Sequence, residues 1–394
     1  MSDRKDDSAG RPPQPSPTGQ RQPPAADAPP GPLRAAWVAG PNTLDQYGRV
    51  LQPLAIGLMD ELVDIMALCP EGADGRELPS PPVETISCGR TKWWRFYTRQ
   101  LETLAEEIRS RKLHLLHALD ADAWPLAAQL ARLAGLNCII SSYSLDDARK
   151  LGHLHSPAAM VLAASQPVRA QLLARRVAPP QRVQLVRPGV YQGRRATCFL
   201  DPAYRVSIVA GGVMDDFAAF AAVIQCFAQL RAGPCDCVFF LLGNGRAEKH
   251  LRRLAEALGM RSELTFVDRQ PLRLLPEIFK AADIYVSPVA DRGVDMACLL
   301  AMAGGVPVLS AGQGGSDFLI DGQTAETFAR GNAADLKGKL SAMLADHSRA
   351  SALAEKALAH LRENHSPAGA VTAVAQVYRQ VAAMPTPSPQ LQTA

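Results

Sequence analysis

The chain reads as an α/β protein made of two doubly wound halves that face a shared cleft. Three observations predict it. From Arg34 onward, short apolar runs alternate with longer helical patterns, as a parallel sheet covered on both faces requires. The alternation occurs twice, on either side of a stretch from Arg187 to Asp201 that holds Pro188-Gly189 and few large apolar residues. The length of 394 residues, 47% of them hydrophobic and 20% charged, gives each half a core of ordinary size.

The elements follow in order. Nine of the first 32 residues are proline and, after Met1, no large apolar residue precedes Leu33, so residues 1–32 are expected to be a disordered tail. Ala35-Ala36-Trp37-Val38-Ala39, ending at Gly40-Pro41, is the first strand. Val63 to Leu68 and Leu113 to His117 follow, and the alanine-rich helix Trp124 to Ala134 stops at Gly135. Cys138-Ile139-Ile140-Ser141, Met160 to Ser165 and Val183 to Val186 complete the first half. In the second half, Val206 to Ala210 runs into Gly211-Gly212, and Cys237 to Leu242 runs into Gly243-Asn244-Gly245. A charged helix, Ala247 to Leu258, precedes strands at Leu264 to Val267, Ile284 to Ser287 and Val306 to Ser310. Domains are expected at 33–192 and 193–367, with ligands at the carboxyl ends of the strands and between the halves.

Composition excludes several classes. Lys plus Arg number 42 and Asp plus Glu 38, a formal charge of +4, which argues against a chain-wide footprint for a nucleic-acid polymer. The eight cysteines form no CxxC motif, and the close pair Cys235 and Cys237 does not make a tetrahedral site. No metal is expected, and the cysteines read as small buried hydrophobes in a reduced compartment. No apolar run reaches the roughly 18 residues of a spanning helix. Met1 to Asp7 leads into no apolar segment, so a cytoplasmic protein is expected.

The second half carries four motifs in series: Leu242-Gly243-Asn244-Gly245 before a helix, Ala281 to Pro288, Ala301-Met302-Ala303-Gly304-Gly305-Val306-Pro307-Val308, and Gly314-Gly315-Ser316-Asp317 to Thr324. Their order and spacing resemble the nucleotide-sugar-binding half of family 4 ("group 1") glycosyltransferases, which have the GT-B fold of two Rossmann-like domains. The first half is similar more loosely. Gly48-Arg49 resembles the glycine-containing acceptor loop after the first strand, and His117-Ala118 resembles a histidine-containing turn. The resemblance spans about residues 34–384 and makes 368–384 a terminal helix that returns to the first domain, with 385–394 a second disordered tail.

The resemblance implies transfer of a sugar from a nucleotide-sugar co-substrate to a carbohydrate or lipid-linked acceptor, with retention and without an obligatory metal. It places donor contacts at Gly211, Gly212, Gly243, Asn244, Gly245, Arg246, Arg269, Leu300, Gly314, Gly315 and Asp317. It places the reacting centre near Arg292, Asp291, His117 and Tyr143, with Gly48 and Arg49 on the acceptor side. At key positions the chain departs from the family. Leu300 stands where a Glu accepts from the nucleotide ribose, and Arg292 stands where a second Glu lies near the donor sugar. Tyr143 replaces a His, and Gly211 to Asp216 holds two carboxylates where an Arg and a Lys meet the diphosphate. Arg246, Arg269 and Arg292 are the candidates for replacement charge.

Two readings follow: a transferase with a diverged donor site, or a catalytically silent glycosyltransferase-like binding module. A sugar-phosphate epimerase of the same fold ranks below both. His114, His153 and His155 lack partners at ligand spacing and read as structural. Arg90 to Arg99 mixes four basic and four aromatic residues, a composition that suits an interfacial helix and peripheral contact with the inner membrane face. The spacing of Trp93, Tyr97, Leu101, Leu104 and Ile108 favours a core-facing stripe instead.

Overall fold

The computed structural model describes residues 32–388 apart from 71–77, 79–82, 89–93, 153–157, 194–204, 234–235 and 291. Two parallel sheets carry the described residues. The first is built from β1 (Leu33–Val38), α1 (Thr43–Asp60), β2 (Val63–Cys69), β3 (Glu84–Ser87), α2 (Trp94–Ser110), β4 (Leu115–Ala118), α3 (Trp124–Ala134), β5 (Asn137–Ser142), α4 (Asp147–Leu151), β6 (Met160–Ala163), α5 (Gln166–Ala174) and β7 (Val183–Leu185). The second comprises β8 (Val206–Gly211), α6 (Phe217–Arg231), β9 (Cys237–Leu242), α7 (Glu248–Ala257), β10 (Leu264–Val267), α8 (Leu275–Lys280), β11 (Ile284–Ser287), α9 (Met296–Ala303), β12 (Val308–Ser310) and β13 (Glu326–Thr327). Helices α10 (Ala333–Ala345), α11 (His347–Asn364) and α12 (Pro367–Ala382) follow.

The strand orders are β3-β2-β1-β4-β5-β6-β7 and β10-β9-β8-β11-β12-β13, and every pair is parallel. Each sheet reverses its strand order once, between β1 and β4 and between β8 and β11. Such reversals open a crevice at the carboxyl edge of the sheet, which is where ligands of doubly wound folds sit. The central strands are buried on both faces, β8 along its whole length, which explains their continuous apolar runs. Polar residues that read as unremarkable start the helices. Ser165, Asp216 and Asp295 each accept a backbone N–H from the first turn of α5, α6 and α9.

Helix α12 packs on α1, at the far end of the sequence. Gly57 lets them meet, since a Cβ there would lie 2.4 Å from Val371 Cγ2. Val371, Val374 and Tyr378 share a core cluster with Trp37, Leu51 and Leu58. The tail is tied down at its start, where Asn137 Nδ2 donates to the Pro385 carbonyl at 3.3 Å. The stripe on α2 is buried at Leu101, Leu104 and Ile108. Trp93 and the side chains of residues 94–98, together with His153 and His155, lie outside the described residues.

Candidate functional site

The carboxyl edges of the two sheets meet, and backbone joins them. Leu145 N–H donates to the Arg292 carbonyl at 2.9 Å, and Val294 N–H donates to the Tyr143 carbonyl at 2.8 Å. Ser144 and Gly293 thereby form an antiparallel bridge between the domains. Asp147 shapes the loop that does this, its carboxylate accepting from Ser142 Oγ and from the N–H groups of Tyr143 and Ser144. Arg292 Nε then donates to Asp146 Oδ1 at 2.9 Å. A second clasp lies alongside. Ser165 Oγ donates to the Gly315 carbonyl at 2.6 Å, and Asp317 Oδ2 accepts from Gln166 N–H at 3.0 Å and from Arg187 Nη2 at 2.9 Å.

Apolar contact fills the space between these clasps. Val50, Tyr143, Ala164 and Val190 belong to one buried cluster with Val294, Met296, Leu299 and Leu300 of the other domain. Tyr143 also stacks on Tyr47, with ring centroids 4.0 Å apart. A small cavity within the first domain, closed by α12 and lined by Val50, His117, Ser141, Tyr143 and Val374 among others, measures about 30 Å³. That is room for a water, whereas ligand pockets run to roughly 300–1,000 Å³. A larger groove, of about 1160 Å³, lies away from the cleft between α3 and the Met384–Ser388 strap.

The residues singled out from sequence fall into three groups. Arg292, Tyr143, Gly315 and Asp317 come together, as parts of the clasps. A Cβ on Gly315 would lie 2.6 Å from the Arg292 carbonyl oxygen, so only glycine allows this approach. Leu300 is 6% exposed and belongs to the shared apolar cluster, where an ionised Glu would stand unpaired. Gly211, Gly212, Gly243, Asn244, Gly245 and Arg246 form the second group, at the carboxyl edge of β8 and β9. Met214 N–H donates to the Asn244 carbonyl at 2.9 Å, and Ala247 N–H to the Met214 carbonyl at 2.8 Å. A Cβ on Gly243 would lie 2.0 Å from the Gly212 oxygen, so the two loops pack backbone to backbone. Gly314, with φ +56, turns the loop before Gly315, and Arg269 is exposed in the loop after β10.

The third group lies apart from the cleft surface. His117 is 1% exposed and enclosed by hydrogen bonds. Trp37 Nε1–H donates to Tyr378 Oη at 2.7 Å, Tyr378 Oη meets His117 Nδ1 at 2.6 Å, and His117 Nε2 meets Ser141 Oγ at 2.9 Å. Burial pushes its pKa down to about 3, so the ring is neutral. Its place is a dock for α12 beneath the cleft. Gly48 and Arg49 sit in the second turn of α1, and the loop after β1 is Ala39 to Asn42, with Gly40 as its glycine. The acceptor-loop assignment of Gly48 is corrected accordingly. Asp291 lies outside the described residues.

Sequence reasoning passed over Asp120. It lies at the strand-order reversal of the first sheet, where it accepts from Thr43 Oγ1 and, at 2.8 Å, from Ala123 N–H. Burial raises its pKa. Asp146 and Ser165 were also passed over, because their partners are more than a hundred residues away. A helix-cap signature was the one local sign of Ser165. Among the described residues no group of three or more His, Cys, Asp or Glu is placed to hold a metal ion, and no helix is long and apolar enough to cross a membrane.

Comparison with known proteins matches this architecture. The chain superposes on Anabaena HepE, crystallised with UDP and glucose, with a TM-score of 0.69 and 13% identity over 88% of this chain and 99% of that one. Sucrose-phosphate synthase from Thermosynechococcus elongatus gives a TM-score of 0.69 and 17% identity over 89% and 99%. The fold is therefore GT-B. Residues 205–346 match the family model described as glycosyl transferases group 1. The similarity to group 1 glycosyl transferases thus lies in the second domain. One relative is a D-inositol 3-phosphate glycosyltransferase of Nocardia farcinica, 29% identical over 181 residues, which are 44% of this chain and 40% of that protein. Another is a GDP-mannose-dependent alpha-(1-6)-phosphatidylinositol monomannoside mannosyltransferase of Mycolicibacterium smegmatis, 27% identical over 33% of this chain and 36% of that one. The chain thus spans well under half the length of these curated relatives.

Proposed function

We propose that the chain transfers a sugar from a nucleotide-sugar donor to a hydroxyl group of a carbohydrate or lipid-linked acceptor. One observation carries the reading. The segment matched to group 1 glycosyl transferases, residues 205–346, holds the loops at the carboxyl edge of the second sheet: Gly211 to Asp215, Gly243 to Arg246 and Gly312 to Asp317. Solved GT-B neighbours hold UDP and glucose, and the relatives are named for inositol phosphate and phosphatidylinositol acceptors. The donor would lie across those loops and the acceptor would enter over the first domain, near Gly40, Thr43 and Asp120. Peripheral contact with a membrane fits a lipid-linked acceptor.

The backbone bridge and the clasps that join the domains must part before a nucleotide sugar enters between them. The chain crosses between domains at two adjacent places. Val190 N–H donates to the His365 carbonyl at 2.9 Å, and a Cβ on Gly189 would lie 2.6 Å from Pro367 Cα. Paired crossings of this kind make a hinge. The silent-module reading is favoured by a separate observation: Leu300, Arg292 and Asp317 are all committed to domain-domain contacts.

Calorimetry against UDP, GDP, ADP, CMP and their sugar conjugates separates the two. A ligand at 100 times its dissociation constant stabilises the protein by about 2.7 kcal/mol. Binding of one nucleotide sugar, followed by release of its free nucleotide on incubation with inositol phosphate or phosphatidylinositol vesicles, supports transfer. Absence of binding at millimolar concentration overturns it in favour of the silent module.

A further inference from the structure

The crevice at the strand-order reversal of the second sheet is flanked by the loop after β8, and that loop carries a carboxylate in an unusual position. Asp215 Oδ1 accepts the backbone N–H of Arg246 at 2.8 Å, and Asp215 Oδ2 accepts from Arg246 Nη2 at 3.3 Å. One backbone N–H and one guanidinium, side by side, are what a phosphate group takes from a protein. They precede α7, whose own cap residue, Ala247, offers no side-chain acceptor. The interlocked backbone of the 211–215 and 242–247 loops holds Asp215 and Arg246 opposite each other. The neighbouring Asp216 is engaged elsewhere, capping α6 and pairing with Arg330. Arg246 is otherwise open to solvent, its side chain 87% exposed.

We infer that Asp215 is a specificity-determining residue that occupies, with its own carboxylate, the place of a donor phosphate on Arg246, and so sets the affinity of this site for diphosphates low. This rests on the donor-site reading above. A diphosphate reaching Arg246 must displace Asp215 and then remain beside it. Like charges a few ångströms apart in water oppose each other enough, for a ligand of two or more charges, to weaken binding about tenfold. The site therefore favours donors whose sugar and base supply the affinity, and it releases the nucleotide diphosphate readily.

The test titrates wild type, Asp215→Asn and Asp215→Asn/Arg246→Ala with inorganic pyrophosphate and with UDP at low and high salt, with Asp215→Ala as the second single variant. Thermal unfolding checks that each is folded. Asp215→Asn is expected to bind pyrophosphate about tenfold tighter than wild type, with the advantage shrinking at high salt and vanishing when Arg246 is also removed. Pyrophosphate binding no tighter in either Asp215 variant than in wild type overturns the inference, and so does a gain that survives the loss of Arg246. The two proposals fail separately. A pyrophosphate gain without binding of any nucleotide sugar leaves Asp215 assigned and removes the transferase reading. Tight nucleotide-sugar binding by wild type with no gain in the variants does the reverse.

Discussion

Leu300→Glu restores the carboxylate that the family resemblance expects at the ribose-binding position, and the structure makes it costly. Leu300 is 6% exposed in a cluster shared by both domains. A carboxyl group in such a place has its pKa raised to about 8–9, from about 4.3 in the unfolded chain. At about 1.4 kcal/mol for each tenfold change in proton affinity, fully ionising the introduced carboxyl costs about 5–6.5 kcal/mol, with relief wherever water or domain parting reaches it. The sign follows from the raised folded value. The cost of charge is absent below the unfolded pKa and grows as pH rises toward the folded one. Urea denaturation at pH 5 and pH 8 is the assay, with Leu300→Gln as the uncharged comparator and small-angle scattering to read the radius of gyration. The expected result is a loss of about 3–5 kcal/mol at pH 8, or a measurably expanded molecule, with a smaller effect at pH 5. A variant as stable and as compact as wild type at pH 8 refutes the dry interface.

The buried His117 gives a pH signature of its own. Its pKa falls from 6.5 to about 3, so the unfolded chain binds the proton more tightly, and stability is lost as pH falls from about 6.5 toward 3. Between pH 7 and 4.5 this amounts to about 2–3 kcal/mol, and a His117→Gln variant with the same slope in acid denaturation contradicts it. Gly243→Ala forces a Cβ to 2.0 Å from the Gly212 oxygen at φ +143. It is expected to lower stability by about 3 kcal/mol in thermal unfolding, and a loss under about 1 kcal/mol counts against the interlocked loops. The Arg292–Asp146 pair is partly exposed, at 61% and 36% for the two side chains. A double-mutant cycle should therefore return a coupling of only about 0.2–1 kcal/mol, and a value above about 2 kcal/mol shows that the pair, rather than the backbone bridge beside it, holds the domains.

Strands and their order of appearance were legible because each leaves a local trace. Cys237 to Leu242 is a continuous apolar run that ends at glycine, and Val206 to Gly211 is one broken only by the buried Ser207. Short edge strands leave less, and β3 and β13 escaped notice. Gly48 misled because a glycine soon after a first strand resembles a loop, yet helical spacing prevails from Thr43 onward and the residue is buried within α1. The uses of Arg292 and Asp317 could not be read locally. Asp146 is 146 residues before Arg292, and Arg187 is 130 before Asp317. Alignment to a family located these positions, but only three-dimensional proximity reveals that they clasp the domains. Asp215 and Asp216 show the same limit, since adjacent carboxylates face different partners, Arg246 and Arg330.

The hydrogen bond from Trp37 to Tyr378 spans 341 residues of sequence. The indole of the first strand thus waits for a partner that leaves the ribosome only after both sheets have been made. Until α12 emerges, the opening domain has an exposed apolar face on α1 and a histidine whose Nδ1 lacks its phenol. The second domain, by contrast, draws its sheet and flanking helices from consecutive sequence. Synthesis order and completion order are therefore inverted: the domain made first is the one finished last, and a nascent chain truncated before residue 367 carries a complete second sheet beside an uncapped first domain.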